Sequence, residues 1–146
     1  SPGRSLFSYA FAPQGVPGVM NGMSTADFLW NIQCSVILQL AEQGPCVIVG
    51  RCADDILKDY CKSFNVFIHA DKDYRIDRIK KLYNLSAQSA ETLIKKTDKG
   101  RKNYYDFYSH SSWGVASSYD MTISSSKFGI DGVVNIISSC ATEFFK

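Results

Sequence analysis

The residues best suited to chemistry stand directly after a short apolar run, in the pattern Gly50-Arg51-x-x-Asp54. A flexible backbone position there brings a planar cation and a carboxylate close together. An arginine can grasp a phosphate through two parallel hydrogen bonds, while a carboxylate reads a neighbouring sugar or base. The spacing alone favours a plainer alternative, in which Arg51 and Asp54 pair with each other or cap the next helix.

A second concentration of charge lies between Lys72 and Lys102. This stretch holds ten of the sixteen basic residues and four of the fourteen acids, so it carries +6 and leaves −4 elsewhere in a chain of net charge +2. Such a stretch is usually a solvated helix face, and the sharper alternative is a site for phosphate or nucleic acid. Arg75 and Arg78, three residues apart on one side of a predicted helix, have the same two interpretations.

Five cations crowd around Gly100, which interrupts the helical pattern; they are Lys95, Lys96, Lys99, Arg101 and Lys102. Crowding of like charge destabilises a fold unless an anion relieves it. If the helix continues, Asp98 and Arg101 lie one turn apart and share a face. The rings that follow, at positions 104, 105, 107 and 108, would suit stacking on single-stranded nucleic acid, but their helical spacing favours packing for most of them.

The elements that must position these groups alternate between helix and strand. Apolar spacing predicts a helix from Asp27 that ends before Gly44-Pro45, one after a cap at Asp71, a longer one after a cap at Ser86, and a terminal one from Ile130. Continuous apolar runs predict buried strands at 46–49, 64–70 and 121–123. This alternation indicates an α/β fold with a parallel sheet, in which Gly50 and Ser124 end strands at the same edge, where ligands bind.

The composition is that of one domain in a reducing cytoplasm. The chain has 146 residues and is 45% hydrophobic, and its longest apolar runs are too short to cross a membrane. Its five cysteines form no C-x-x-C pair and lie far from both histidines, so we predict no metal site, and Cys46 and Cys140 are expected to pack as small hydrophobes. Residues 1–26, rich in glycine and proline, are interpreted as an irregular leading segment, and 27–146 as the domain.

Four blocks, in order and with plausible gaps, resemble successive motifs of the cytidylate kinase-like family, a branch of the P-loop nucleoside monophosphate kinases. The blocks are GPCVIVGRCAD at 44–54, NVFIHA at 65–70, KTDKGRKNYY at 96–105 and YDMTISSS at 119–126. The resemblance runs from about Asp27 to Ile137, and residues 5–10 more loosely resemble the acceptor-binding region. It implies a three-layer α/β/α kinase fold that transfers the γ-phosphate of ATP, with Mg²⁺, to a nucleoside monophosphate, most obviously CMP.

The same resemblance implies a role for each candidate residue. Gly50, Arg51 and Asp54 would contact the acceptor nucleotide. Asp98 and Arg101 would belong to a lid at about 95–118, whose arginine reaches the transferring phosphoryl group. The remaining nucleotide-binding candidates are two arginines of the basic stretch and a loop beside the adenine of ATP, namely Arg75, Arg78, Ser125, Ser126 and Lys127.

The family pattern lacks one part here. A P-loop requires G-x-x-x-x-G-K-[ST], and no Gly-Lys pair occurs in the 146 residues. We therefore expect a fold without its first strand and helix, the C-terminal portion of a longer protein, inactive by itself because the donor phosphates have no cradle. The alternatives are a pseudokinase or assembly subunit and a non-catalytic nucleotide- or RNA-binding module, although nucleic acid is not the favoured partner.

Overall fold

A computed structural model describes residues 24–146. The predictions for the leading segment up to residue 23, including the resemblance at 5–10, lie outside the described residues. In chain order the elements are α1 (Thr25–Glu42), α2 (Ala53–Leu57), β1 (Val66–His69), α3 (Lys72–Tyr83), α4 (Ala87–Tyr108), a 3₁₀ turn (Ala116–Ser118), β2 (Met121–Ser124) and α5 (Ser125–Phe144). The protein is a helix-rich α/β fold with a small parallel sheet. None of the described helices is both long and apolar enough to cross a membrane.

The sheet pairs two of the three predicted strands. Strands β1 and β2 run parallel, with Val66 opposite Met121 and His69 opposite Ser124. Ile123 of β2 is buried, as expected for a strand covered by helices. The carboxyl ends of both strands therefore meet at one edge, where β1 leads to α3 and β2 leads to α5.

The prediction of a strand at 46–49 is wrong. This segment forms no ladder with any described residue, and the side chains of Val47 and Val49 are 93% and 73% exposed. Its β-branched composition favours an extended chain, but a strand also needs a neighbouring backbone to pair with, and no described strand pairs with it. Gly50 consequently does not end a strand at the edge that Ser124 occupies.

The cysteines also differ from the prediction. Cys46 and Cys140 are exposed, whereas Cys52 is the buried thiol. Cys46 lies in the unpaired segment, which explains its exposure. Burial raises the pKa of Cys52 to about 12, so this side chain stays a neutral thiol and packs as a small apolar group.

Helix α1 begins at Thr25, two residues before the predicted start at Asp27 and within the segment predicted to be irregular, because the side chain of Ser24 accepts a hydrogen bond from the backbone N–H of Asp27 at 3.1 Å. Its buried residue, Ile37, packs against Ala53 and Leu57 of α2. The apolar positions that predicted the helix have the expected spacing, yet their side chains are exposed: Leu29, Ile32, Val36 and Leu40.

Helix α4 is the longest described element and carries two of the candidate residues, Asp98 and Arg101. Ser86 caps it as predicted, by accepting from the N–H of Ser89. The helix continues through Gly100 without a break, so the crowded cations lie on a regular helix. The predicted lid at 95–118 is thus the second half of α4, the loop after it and the 3₁₀ turn.

Helix α5 begins at Ser125, five residues before the predicted start, and bends at Gly129. Gly129 has φ 68° and ψ 172°, a conformation that is essentially restricted to glycine. The first turn of α5 is therefore a separate segment that follows β2, and it carries three of the candidate residues.

Candidate functional site

A left-handed turn presents the first candidate group. Gly50, Arg51 and Cys52 have φ values of 70°, 61° and 55°, and the N–H of Ala53 donates to the carbonyl of Gly50 at 3.2 Å. Left-handed φ is unfavourable for the two residues that carry a Cβ, at about 1–2 kcal/mol each. The turn leads directly into α2, whose N-cap Cys52 makes no side-chain capping bond. Arg51 is thus held in a strained conformation at the start of a helix.

Asp54 is bonded to helix α4. The hydroxyl of Tyr105 donates a short hydrogen bond to the Asp54 carboxylate, and Tyr105 is only 7% exposed. Burial and the bond to Asp54 together raise the pKa of Tyr105 above its ordinary value of 10. Neither the carboxylate of Asp54 nor that of its neighbour Asp55 caps α2, so the capping alternative for Asp54 is not what the fold uses.

Arg51 faces the residue before Tyr105. The guanidinium carbon of Arg51 lies 5.9 Å from the centre of the Tyr104 ring, within the range of a cation–π contact. The hydroxyl of Tyr104 donates to Oε1 of Gln33 at 2.9 Å, and Nε2 of Gln33 donates to the carbonyl of Arg51 at 3.0 Å. Sequence reasoning missed Gln33, because its partners lie 18 and 71 residues away and no local spacing signals them.

The rings at the end of α4 fix this helix against α1. Trp30 stacks on Tyr108 with ring centres 4.2 Å apart and planes at 12°, and it meets Tyr104 edge-on at 6.3 Å. Packing is therefore the role of Tyr104, Tyr105 and Tyr108, as the helical spacing predicts. Phe107 is the exception, with 76% of its surface exposed.

Two arginines contact one carboxylate in the middle of α4, on the N-terminal side of Tyr104. Arg75 of α3 makes two hydrogen bonds to Asp98, at 2.7 and 2.9 Å, and Nη1 of Arg101 lies 3.6 Å from Oδ1 of the same Asp98. The predicted proximity of Asp98 and Arg101 is confirmed, and Arg75 joins them from another helix. One anion thus orients two cations and leaves a net positive charge facing the adjacent groove.

This groove has a volume of about 610 Å³ and lies between β1, α3, α4 and α5. Its floor is apolar, with Ile68, Val133 and Ile137, while Arg75, Arg78 and Arg101 line its charged side. Ser125 also lines the groove, at the carboxyl end of the sheet. An apolar floor beside a few convergent cations suits a ligand that combines a ring with phosphates.

The three residues after β2 contact the end of β1 and the start of α3. The hydroxyl of Ser125 donates to the carbonyl of His69 at 3.1 Å, and that of Ser126 accepts from the N–H of Asp71 at 3.0 Å. Nζ of Lys127 lies 2.9 Å from the Asp71 carboxylate and holds its pKa below the ordinary value. Asp71 is the N-cap of α3, as predicted, but its side chain binds Lys127 instead of capping the helix.

Helix α4 therefore connects two clusters of candidate residues. Asp98, Arg101 and Tyr105 are spaced at i, i+3 and i+7, which places them on one helix face about 10 Å apart from end to end. One cluster contains Arg51 and Asp54, and the other contains Arg75, Asp98 and Arg101. Within residues 24–146 no group of three or more His, Cys, Asp or Glu could hold a metal ion.

Comparison with known proteins gives consistent matches. The sequence profile of the cytidylate kinase-like family matches residues 2–127. The chain is 31% identical over 112 residues to a cytidylate kinase of Methanocaldococcus jannaschii, covering 75% of this chain and 62% of that protein. It is 33% identical over 103 residues to a cytidylate kinase of Methanococcus maripaludis, covering 68% of this chain and 57% of that protein. The chain thus spans about three-fifths of these curated relatives.

A solved structure has the same fold. The crystal structure of an uncharacterized protein from Eubacterium ventriosum superposes with a TM-score of 0.77 at 32% sequence identity. The match covers 82% of this chain and 68% of that one. The arrangement of the described elements is thus also found in an experimental structure.

Proposed function

The chain belongs to the cytidylate kinase-like family, and from that premise we propose that it takes part in phosphoryl transfer from ATP to a nucleoside monophosphate, CMP in particular. The cytidylate kinases of Methanocaldococcus jannaschii and Methanococcus maripaludis, which it resembles, are named for this substrate. The chain spans only about three-fifths of their length, so we propose the activity for a protein that contains this chain.

The observation that carries the proposal is the connection of both clusters by α4. Tyr104 and Tyr105 of this helix contact Arg51 and Asp54, and Asp98 and Arg101 of the same helix border the arginine-lined groove. Phosphoryl transfer depends mainly on positioning two substrates and stabilising the charge that moves between them. A rigid helix that contacts both sites fixes their separation.

We assign the acceptor to the first cluster. Arg51 would bind the phosphate of the monophosphate, with the backbone of Gly50 giving close approach and Asp54 reading the sugar or base. In the groove, three arginines would neutralise the phosphates of ATP and of the monophosphate during transfer. They are Arg75, Arg78 and Arg101. Asp98 would orient Arg75 and Arg101.

The first turn of α5, which directly follows β2 where a loop was predicted, would flank the base of ATP. Ser125 lines the groove and is the group best placed for this role. Ser126 and Lys127 already bind Asp71, so in this proposal they act by holding this turn to the sheet edge. Their assignment as nucleotide-binding residues stays a prediction.

The residues present fit phosphate better than they fit a protein-bound metal ion. The arginines supply the charge and fork geometry that phosphate oxygens prefer, whereas the described residues offer no carboxylate cluster. Mg²⁺ would arrive on the ATP phosphates, as is usual in kinases, and neutralise part of their charge there. The chain's own residues would bind, orient and shield the two nucleotides.

We place the cradle for the donor phosphates in a segment outside these 146 residues. The support is the lack of a Gly-Lys pair in the sequence together with the segment at 46–49, which pairs with no described strand and in which Val47 and Val49 are 93% and 73% exposed. An exposed apolar segment with unpaired backbone is a suitable surface for an added strand to pack against. A glycine-rich loop supplied there would surround the β- and γ-phosphates.

Titration of the 146-residue chain with CMP tests the acceptor assignment. We expect weak, saturable binding by calorimetry, with CMP preferred to an unrelated anion such as sulfate. The matched titration uses a single-stranded RNA over a series of salt concentrations. Salt-sensitive binding of RNA together with no response to CMP would contradict the proposal and support the RNA-binding alternative.

A further inference from the structure

The side chain of Gln33 joins three elements at the left-handed turn. From α1, its Nε2 donates to the carbonyl of Arg51 at 3.0 Å, and its Oε1 accepts from the hydroxyl of Tyr104 of α4 at 2.9 Å. The Tyr104 ring in turn faces the guanidinium of Arg51. One amide thus contacts the backbone of Arg51 directly and its side chain through Tyr104.

Both bonds are specific to an amide of this length. The carbonyl of Arg51 can only accept, so its partner must donate, while the Tyr104 hydroxyl donates in this structure and therefore needs an acceptor. A glutamine does both at once. A glutamate would offer no donor to the carbonyl, and an asparagine would be one methylene too short.

The position of these bonds matters because the turn is strained. Arg51 and Cys52 have left-handed φ values of 61° and 55°, which side chains with a Cβ rarely adopt. Such conformations persist when surrounding contacts determine them. The bond from Gln33 fixes the peptide bond between Arg51 and Cys52, which lies at the centre of the turn.

We propose that Gln33 is a positioning residue for Arg51: it holds the left-handed turn and, through Tyr104, aims the guanidinium at the phosphate of a nucleoside monophosphate. The aiming of the guanidinium at a phosphate rests on the proposed function, whereas the role of Gln33 in holding the turn does not. Gln33 itself touches no reacting atom in this proposal.

The test uses Gln33→Met, which keeps the length of the side chain and removes both hydrogen bonds. Gln39→Met, at an exposed position of the same helix, is the matched control. The first readout is the NMR chemical shifts of Cα and Cβ in Arg51 and Cys52, which report a left-handed backbone without any ligand. We expect these shifts to move away from left-handed values in Gln33→Met and to stay unchanged in Gln39→Met.

The second readout is CMP affinity in a double-mutant cycle. Gln33→Met should weaken CMP binding about fivefold, the scale of one lost hydrogen bond. In an Arg51→Ala background the same substitution should change the affinity less than about twofold, because it acts through Arg51. A merely structural residue would weaken binding equally in both backgrounds.

The outcomes separate the two claims. Unchanged shifts at Arg51 and Cys52 in Gln33→Met would overturn the inference, as would an equal loss of affinity in the Arg51→Ala background. If Arg51→Ala itself leaves CMP binding unaltered, the acceptor assignment fails, and the shifts still decide whether Gln33 holds the turn. If Gln33→Met fails to fold, Tyr104→Phe keeps the ring and the bond from Gln33 to Arg51 and removes only the bond between Tyr104 and Gln33. Its CMP affinity should then fall in the parent chain and change less than about twofold in the Arg51→Ala background, and an equal loss in both backgrounds would overturn the role of Gln33 in aiming the guanidinium.

Discussion

At the scale of single residues, the site depends on contacts between groups that are distant in sequence. The pairing of Asp98 with Arg101 could be predicted, because a spacing of three on a helix brings side chains together. The two bonds from Arg75 to Asp98 could not, since they depend on how α3 packs on α4. The same holds for Gln33 and for the bond between Tyr105 and Asp54.

Replacement of Arg51 tests the acceptor site most directly. Arg51→Ala should weaken CMP binding by about 2 kcal/mol, roughly thirtyfold, because a charge-assisted contact to phosphate is lost. Calorimetry measures the change. Lys58→Ala, which removes a cation of the neighbouring α2 end that pairs with Asp55, is the control and should leave the affinity unchanged. Equal affinities of Arg51→Ala and the parent chain would remove Arg51 from the site.

The buried bond from Tyr105 should contribute to stability. Tyr105→Phe leaves the Asp54 carboxylate without its phenolic donor, so we expect the free energy of unfolding to fall by about 1 kcal/mol in urea titrations. Tyr60→Phe is the matched control, because the hydroxyl of Tyr60 also donates to a carboxylate, that of Glu42, but Tyr60 is 48% exposed. Water can replace that partner, so a comparable loss in both variants would contradict the role of burial.

At the scale of elements, regular helices were predictable and the sheet only partly so. The apolar spacing locates α1 to within two residues, and the cap at Ser86 locates the start of α4, because these signals are local. The segment at 46–49 has the composition of a buried strand, yet a strand exists only with a partner, and no local pattern records the partner. The helix that continues from Ile130 was predictable, whereas the turn from Ser125 that precedes it was not; Gly129, with non-helical φ and ψ, separates the two.

The packing of α3 on α4 should depend on pH through Glu91. Its carboxylate lies 2.7 Å from Nζ of both Lys72 and Lys95, and these hydrogen bonds lower its pKa from 4.5 to about 2. A lowered pKa in the folded state stabilises the fold above the unfolded value of 4.5, and that contribution is lost as the pH falls toward 2. The urea midpoints of the parent chain and Glu91→Gln should therefore differ at neutral pH and converge in acid.

Added salt should also reduce that difference, because both lysines are largely exposed. Asp77→Asn, which removes a carboxylate 3.4 Å from Lys80 on the same helix, is the control. A difference between the parent chain and Glu91→Gln that stays constant from neutral to acidic pH would show that the ion pairs contribute nothing through charge.

At the scale of the whole molecule, the chain contains both clusters of candidate residues and also exposes apolar side chains such as Val47 and Val49. Its matched relatives are longer, and no Gly-Lys pair is present to form a phosphate cradle. We therefore expect these 146 residues to transfer no phosphate from ATP to CMP. The same chain extended at its N-terminus by a P-loop strand and helix should do so, because the developing charge then has donors on both sides.

A coupled assay of ADP release on both proteins measures this. Arg101→Ala in the extended protein should reduce turnover at least a hundredfold, by analogy with other arginines that contact a transferring phosphoryl group. Robust turnover by the shorter chain would reveal a donor site among residues 1–146. If the extended protein also releases no ADP, the alternative of a pseudokinase is favoured.

Helix α4 is continuous from Ala87 to Tyr108, and this has a thermodynamic consequence for any pair of ligands. A displacement of the helix at Arg101 would also move Tyr104 and Tyr105, which contact Arg51 and Asp54. If a nucleotide on one cluster changes the affinity of the other by some factor, reciprocity requires the second nucleotide to change the affinity for the first by the same factor. The proposed donor and acceptor would therefore share one coupling free energy, whichever of them binds first.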